Sequence, residues 1–259
     1  MGMAVEKGKR KRSSDVQRKE KKKKSLRKEN ESSIEKKTSE QLRFFVEEFE
    51  AAKGVELSSL ELESLNRESN CILEVLEEAD SDVKVLGKSI KAAFGASWRE
   101  ALCEGDGDGG KVDSGSPSVL ILTSSALRSI HLLRGFRSMT KECHAVKLFS
   151  KHMKLNEQIA LLKKRVNIAS GTPSRIKKLI DAEALSLSRL QVLVLDMHPD
   201  VKGYSLFTLP QVRDEFWDLF KNYFYQPMIR GDMRVCLYGY RVAVSLKGKH
   251  KRGHTVPDT

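Results

Sequence analysis

The sequence predicts an α/β domain, an open and mostly parallel sheet with helices on both faces, carrying an N-terminal helical extension and a basic tail. Three observations predict it. Val119–Leu122, Val166–Ser170, Val192–Leu195 and Val235–Tyr238 are short apolar runs without polar alternation, the pattern of strands covered on both faces. The segments between them repeat apolar residues at helical spacing. Strands and helices then alternate through the C-terminal half, which argues for a parallel sheet. The clearest unit is Gln158 to Pro199. Thr172 is a good N-cap and Pro173 suits a first helical position, where no amide hydrogen is needed. A helix opening at Gly171-Thr172-Pro173 therefore joins two parallel strands.

In chain order, residues 1–40 read as a basic tail. Lys9-Arg10-Lys11-Arg12 and Lys21 to Lys24 sit among polar residues with almost nothing apolar to bury. Such a segment is expected to be disordered on its own. Lys9 to Arg12 fit a nuclear localisation signal or a nucleic-acid arm, and a merely solubilising tail would look the same. Residues 41–110 read as an acidic helical extension and linker. Leu42, Phe45, Val46 and Phe49 predict an amphipathic helix ended by Gly54. Leu57 to Leu65 and Leu73 to Ala79 are further apolar clusters, and a long helix is expected from Val83 to Leu102. Gly105 to Pro117 reads as a loop.

The α/β text occupies residues 111–245. After the strand Val119–Leu122, Thr123-Ser124-Ser125 caps a helix whose expected face is Leu127, Ile130, Leu133 and Arg134. A short strand is expected at Ala145–Phe149 and a helix at Lys154–Arg165, with Leu155, Ile159 and Leu162 on one face. Pro210 opens a helix with an aromatic face of Phe216, Phe220, Tyr223 and Phe224. That spacing fits core packing better than base stacking. Residues 246–259 return to a basic tail.

The charge has an order that its total of +12 hides. Residues 1–40 carry 15 basic and 7 acidic side chains, residues 41–110 carry 7 and 16, and residues 111–259 carry 25 and 12. Two basic regions flank an acidic one, which favours a polyanionic partner. No apolar run approaches the length of a membrane span and no signal-peptide core follows the N-terminus. Cys71, Cys103, Cys143 and Cys236 are far apart, with no Cys-x-x-Cys pair. That spacing suits buried thiols and argues against a zinc site or a disulfide frame.

In open parallel sheets, ligands bind at the carboxyl ends of the strands. That rule selects Thr123-Ser124-Ser125, Gly171-Thr172-Pro173-Ser174-Arg175, and Asp196-Met197-His198-Pro199. The first two are helix N-termini, where backbone amides and the helix dipole favour anions. Arg175 and Lys177 add charge. Simple capping of two helices would use the same residues. His198 reads as a loop histidine, and Cys143-His144 as a chance pair.

The order of these motifs resembles the first RecA-like (P-loop NTPase-type) domain of a DEAD-box RNA helicase. Leu122 to Leu127 stand at motif Ia, Gly171 to Arg175 look like motif Ib, and Asp196 to Pro199 fall at the Asp-Glu-Ala-Asp position. Met197 replaces the glutamate of that motif, and a thioether cannot act as a general base. Gly87-Lys88-Ser89 echoes the end of a phosphate loop, but Asp82 stands where its first glycine belongs, and Lys88 reads as a solvated helical lysine. Tyr238-Gly239-Tyr240 replaces the Ser-Ala-Thr motif. With the phosphate loop gone, either Asp82–Val85 or Val242–Leu246 fills its strand position, or the sheet is smaller.

From basic tail to degenerate motif II, the chain is similar to the Cms-type family of small-subunit ribosome biogenesis, degenerate helicase relatives associated with the early pre-ribosomal particle. The resemblance implies a nuclear, nucleolar protein without enzyme chemistry or cofactor. Its implied partners are RNA (pre-rRNA or small nucleolar RNA) and pre-ribosomal assembly proteins, with no small-molecule substrate and no membrane. Carried over from motifs Ia and Ib, RNA contacts are expected at Ser124, Ser125, Thr172, Arg175 and Lys177. The contact at Ser125 is the weakest expectation, because the family's arginine is missing there. Two other readings compete: an ATP-dependent enzyme with a cryptic nucleotide site, and a protein-interaction scaffold without direct RNA contact.

Overall fold

A computed structural model describes residues 36–67, 71–75, 82–104, 114–140, 143–151, 153–241 and 244. The basic stretch Lys9–Arg12 and the C-terminal tail 246–259 lie outside the described residues. Five strands, β1 (Val119–Leu122), β2 (Ala145–Leu148), β3 (Ile168–Gly171), β4 (Val192–Asp196) and β5 (Arg234–Tyr238), form one sheet in the order β2-β3-β1-β4-β5. Every pairing is parallel, and Leu120 lies between Ala169 and Leu193 in register.

All four residues of β1 are fully buried, and they divide by parity between two cores. Leu120 and Leu122 face one cluster, Val119 and Ile121 the other. Side chains alternate faces along a strand, so a strand covered twice reads as an unbroken apolar run. The first face is covered by α1 (residues 36–53), α6 (Leu155–Leu162), α7 (Pro173–Asp181) and α8 (Pro210–Leu219). The second is covered by α3 (Val83–Ala93), α4 (Ala126–Gly135) and a π-helical turn at Arg99–Glu104. Short helices α2 (Ser59–Arg67), α5 (Arg137–Thr140) and α9 (Tyr225–Ile229) and a second π-helical turn, Phe220–Phe224, complete the chain. No helix among the described residues is long and apolar enough to cross a membrane.

The acidic segment 41–110 contributes to both cores. From α1, Phe45 packs on Trp217 and Phe220 with ring centroids 5.4 and 5.0 Å apart. Phe49 meets the same two rings at 5.7 and 5.6 Å. Each such pair contributes about 0.5–1.5 kcal/mol beyond the area it buries. Lys53 pairs with Asp218 of α8. Gly54 then ends α1 with φ +60, a conformation that favours glycine.

Several expectations are corrected. The helix expected over Val83–Leu102 stops at Ala93, because Gly95 turns the chain at φ +75, and a π-helical turn follows. Asp82–Val85 is not a strand: the Asp82 carboxylate accepts a hydrogen bond from Lys84 N and caps α3. The outer margin of β5 instead carries one parallel bridge, Ile72 to Val235, held by Val235 N to Cys71 O and Leu73 N to Val235 O. Among the described residues the sheet has five strands, and most of Val242–Leu246, the other expected occupant, lies outside them. Leu127 is 69% exposed and does not belong to the buried face of α4. That helix lies against β3 through Ser129, whose Oγ is 2.8 Å from Ser170 Oγ, and residues two apart point to nearly opposite sides of a helix.

Cys103 and Cys143, separated by 40 residues, form a disulfide with Cα atoms 4.7 Å apart. This overturns the expectation of buried thiols for Cys103 and Cys143, whereas Cys71 and Cys236 are buried as expected. Sequence spacing carries no information about a contact closed by the fold. Beside it, buried Asn167 binds three segments at once. Its amide donates to Leu102 O at 2.7 Å and to Cys103 O, and its Oδ1 accepts from His144 N at 2.9 Å.

Gly171 ends β3 against its neighbour. A Cβ there would lie 2.0 Å from Leu148 O, a backbone atom that cannot step aside. Gly171→Ala is expected to destabilise the fold by about 1–3 kcal/mol, measured by urea denaturation.

Candidate functional site

The strand order sets β1 between β3 and β4, so all three turns selected from the sequence open at neighbouring strand ends. Thr123 locks the first two together. Its N–H donates to Gly171 O at 3.0 Å, and its hydroxyl donates to Ser125 O and Gly171 O. Thr123 is buried, whereas Ser124, Ser125 and Thr172 are half-buried. Ser125 is the N-cap of α4, accepting from Arg128 N. Thr172 stands at the N-cap of α7, and its side chain makes no cap hydrogen bond.

The two cations expected with Thr172 part company. Arg175 Nη1 donates to Gln158 Oε1 at 3.0 Å. Gln158 is fully buried, and its Nε2 donates to Phe149 O at 2.9 Å, so Arg175 is steadied by a residue fixed in the core. Lys177 instead pairs with Asp181 along α7 at 2.5 Å, and Asp181 also accepts from the Tyr223 hydroxyl. Ser124, Ser125, Thr172 and Arg175 belong to two adjoining turns. The Lys177 ammonium is drawn one helical turn toward the other end of α7.

At the third turn, Asp196 has no exposed side-chain surface. Arg128 reaches it from the first turn of α4 through Nε to Oδ2 at 2.7 Å and Nη2 to Oδ1 at 2.8 Å. His198 Nδ1 lies 3.0 Å from the same Oδ1. Burial alone would raise the Asp196 pKa, but the hydrogen bonds from His198 and Arg128 outweigh it and hold the carboxyl below its ordinary value. The hydrogen bond to Asp196 raises Arg128 in turn. His198, expected as an idle loop residue, is a partner of that carboxylate. It lies over the Tyr238 ring at 4.4 Å. Gly239 makes room for it, since a Cβ there would lie 2.5 Å from His198 Nδ1. Met197 is buried in the first core.

Both Asp196 oxygens are engaged by cationic or ring N–H donors. Asp200 accepts from Lys202 N and Tyr204 N within its own turn, and Asp82 caps α3. Lys88 lies on the exposed face of α3. Arg128 escaped sequence reasoning because its partner lies 68 positions away. The one available sign was an arginine in the first turn of a helix, where the dipole disfavours a cation.

A parallel sheet covered on both faces, with two polar helix-opening turns beside an acidic turn closed by an ion pair, defines an open parallel α/β domain with its polar turns gathered at the carboxyl edge. The family described as "CMS1: U3-containing 90S pre-ribosomal complex subunit" matches residues 109–238, and the chain belongs to that family. Similar proteins include Protein CMSS1 of Homo sapiens, 39% identical over 103 residues, covering 39% of this chain and 37% of that protein. Protein CMS1 of Chaetomium thermophilum is 38% identical over 153 residues, covering 58% of each chain. The chain thus matches between about two fifths and three fifths of the length of these relatives. Among solved structures it is similar to a DEAD-box protein of Methanococcus jannaschii, at 19% identity and TM-score 0.37, covering 75% of this chain and 52% of that one. A Saccharomyces cerevisiae Dbp5 variant bound to RNA and ADP BeF3 has 13% identity and TM-score 0.45, covering 78% and 49%. The fold class itself stands on the five-strand sheet and its two helical layers.

Proposed function

We propose that this chain is a non-catalytic RNA-binding factor of small-subunit ribosome biogenesis, acting in pre-rRNA processing within the nucleolus. Family membership supports the setting: the family's description is of a subunit of the U3-containing 90S pre-ribosomal complex. The observation that supports the non-catalytic reading is the Asp196–Arg128 pair, in which the guanidinium engages both oxygens of the buried carboxylate. RNA backbone would lie across the turns Ser124-Ser125 and Thr172-Arg175, with Lys177 as a peripheral charge. The basic tail 1–40, including Lys9 to Arg12, would add salt-sensitive affinity and nuclear import. Partners would be pre-rRNA or small nucleolar RNA and assembly proteins, and neither cofactor nor small-molecule substrate is needed.

Filter binding of a structured RNA across a salt series tests the site. The variant Thr172→Ala with Arg175→Ala should bind about tenfold more weakly, and its salt slope should fall by about 1. Equal affinity in both proteins would remove the turn from the RNA site. Calorimetric titration with Mg-ATP separates this reading from a cryptic enzyme: binding near about 1 μM would revive the enzyme.

A further inference from the structure

β2 is the outermost strand of the sheet, and on its open side a groove of about 660 Å³ runs between β2 and the second half of α4. Leu133 and Ala145 contribute apolar surface, and Arg134, Arg137, His144 and Lys147 line the rest. All four basic side chains belong to exposed residues. Among the described residues, no carboxylate lines the groove.

The strand's own backbone completes the site. His144 O accepts from Asn167 N and Ile168 N, and Leu148 O accepts from Thr172 N, so the even-numbered residues of β2 turn their polar groups to β3. Alternation directs the N–H and C=O of Ala145 and Lys147 to the outer side. At the far end Gln158 Nε2 reaches around from α6 and donates to Lys147 O and Phe149 O, standing in for a neighbouring strand. Ala145 N–H, Ala145 C=O and Lys147 N–H face the groove without such a substitute. One edge lysine is a common guard against unwanted strand pairing. Two exposed cations, Arg134 and Lys147, around a hollow beside unpaired amides exceed what that guard needs.

We propose that this groove captures an extended acidic segment of a partner protein, which adds as a strand alongside β2 and lays its carboxylates against Arg134 and Lys147. Strand addition takes affinity from main-chain hydrogen bonds and selectivity from alternate side chains. Charge complementarity selects acidic residues, and the surface of Leu133 and Ala145 accepts an apolar residue between them. RNA would use the cations but not the strand's amides. The groove shares no residue with the turns at Ser124 and Thr172, so either site can fail without the other.

Fluorescence anisotropy with the full chain and the labelled peptide EDIEVDVE tests the proposal. Micromolar binding is expected, weakened about tenfold or more by Arg134→Glu with Lys147→Glu. The same peptide N-methylated at alternate residues keeps its charges but loses its strand edge, and should bind the unaltered protein about tenfold more weakly. Equal binding of the methylated peptide overturns strand addition. No binding up to about 1 mM, or unchanged affinity in the double variant, overturns the groove as a peptide site. A short oligouridylate that binds more tightly than the peptide, with the same sensitivity to the double variant, assigns the groove to nucleic acid and overturns the proposal as well.

Discussion

Arg128→Ala is expected to destabilise the fold by about 3–5 kcal/mol, read as a shift in the urea midpoint at neutral pH. The size follows from what is left behind. The Asp196 side chain has no exposed surface and the Arg128 side chain is 24% exposed, so removing the arginine strands a carboxylate in the core beside a single imidazole. Arg128→Lys should recover only part of the loss, because an ammonium cannot reproduce the two-pronged contact of Nε and Nη2. Asp196→Asn with Arg128→Met should lie closer to the native protein than Arg128→Ala does, since neither buried charge then remains.

Acid provides a second readout of the same pair. The Asp196 pKa is lowered in the folded state relative to its ordinary value of 3.8. A depressed carboxylate stabilises the fold fully above the unfolded value, and that stabilisation is lost as pH falls through the folded one. Lowering pH from about 5 to about 2 should therefore cost the native protein more stability than it costs Asp196→Asn. Parallel acid profiles for the two proteins would show that the pair contributes nothing to folding.

Phe45→Ala should destabilise by about 3–5 kcal/mol, the range for emptying a buried aromatic site. Phe45 comes from α1 and contacts Phe207, Trp217 and Phe220, all buried in the first core. Deleting residues 1–54 should do more, exposing that aromatic surface to water and shifting Trp217 fluorescence to the red. A deletion variant with the same urea midpoint as the full chain would make α1 an appendage.

How far the fold was legible depended on the range of the interaction. The strands around Leu120, Leu193 and Val235 were legible because double burial leaves an unbroken apolar run. The opening of α7 was legible because Thr172 and Pro173 act locally. The start of β3 slipped by two residues and its end by one: Val166 and Asn167 lead into the strand, and the Asn167 side chain is engaged elsewhere. The docking of α1, the Cys103–Cys143 bond and the Asp196–Arg128 pair were not legible. Each joins positions that are adjacent only after the chain has folded. In the candidate site, Thr172 and Arg175 stayed together as expected. The pairing of Lys177 with Asp181 followed a helical i,i+4 spacing that the sequence already contained.

Asn167 acts as a clasp at the end of the sheet away from the candidate turns. One amide fastens the π-helical turn, the start of β2 and the start of β3 at the amino ends of the strands. The amino ends of the strands are thereby tied together independently of the Asp196–Arg128 pair at their carboxyl ends. Loss of the Arg128 contact would leave this tie in place even as it loosens the opposite margin of the sheet.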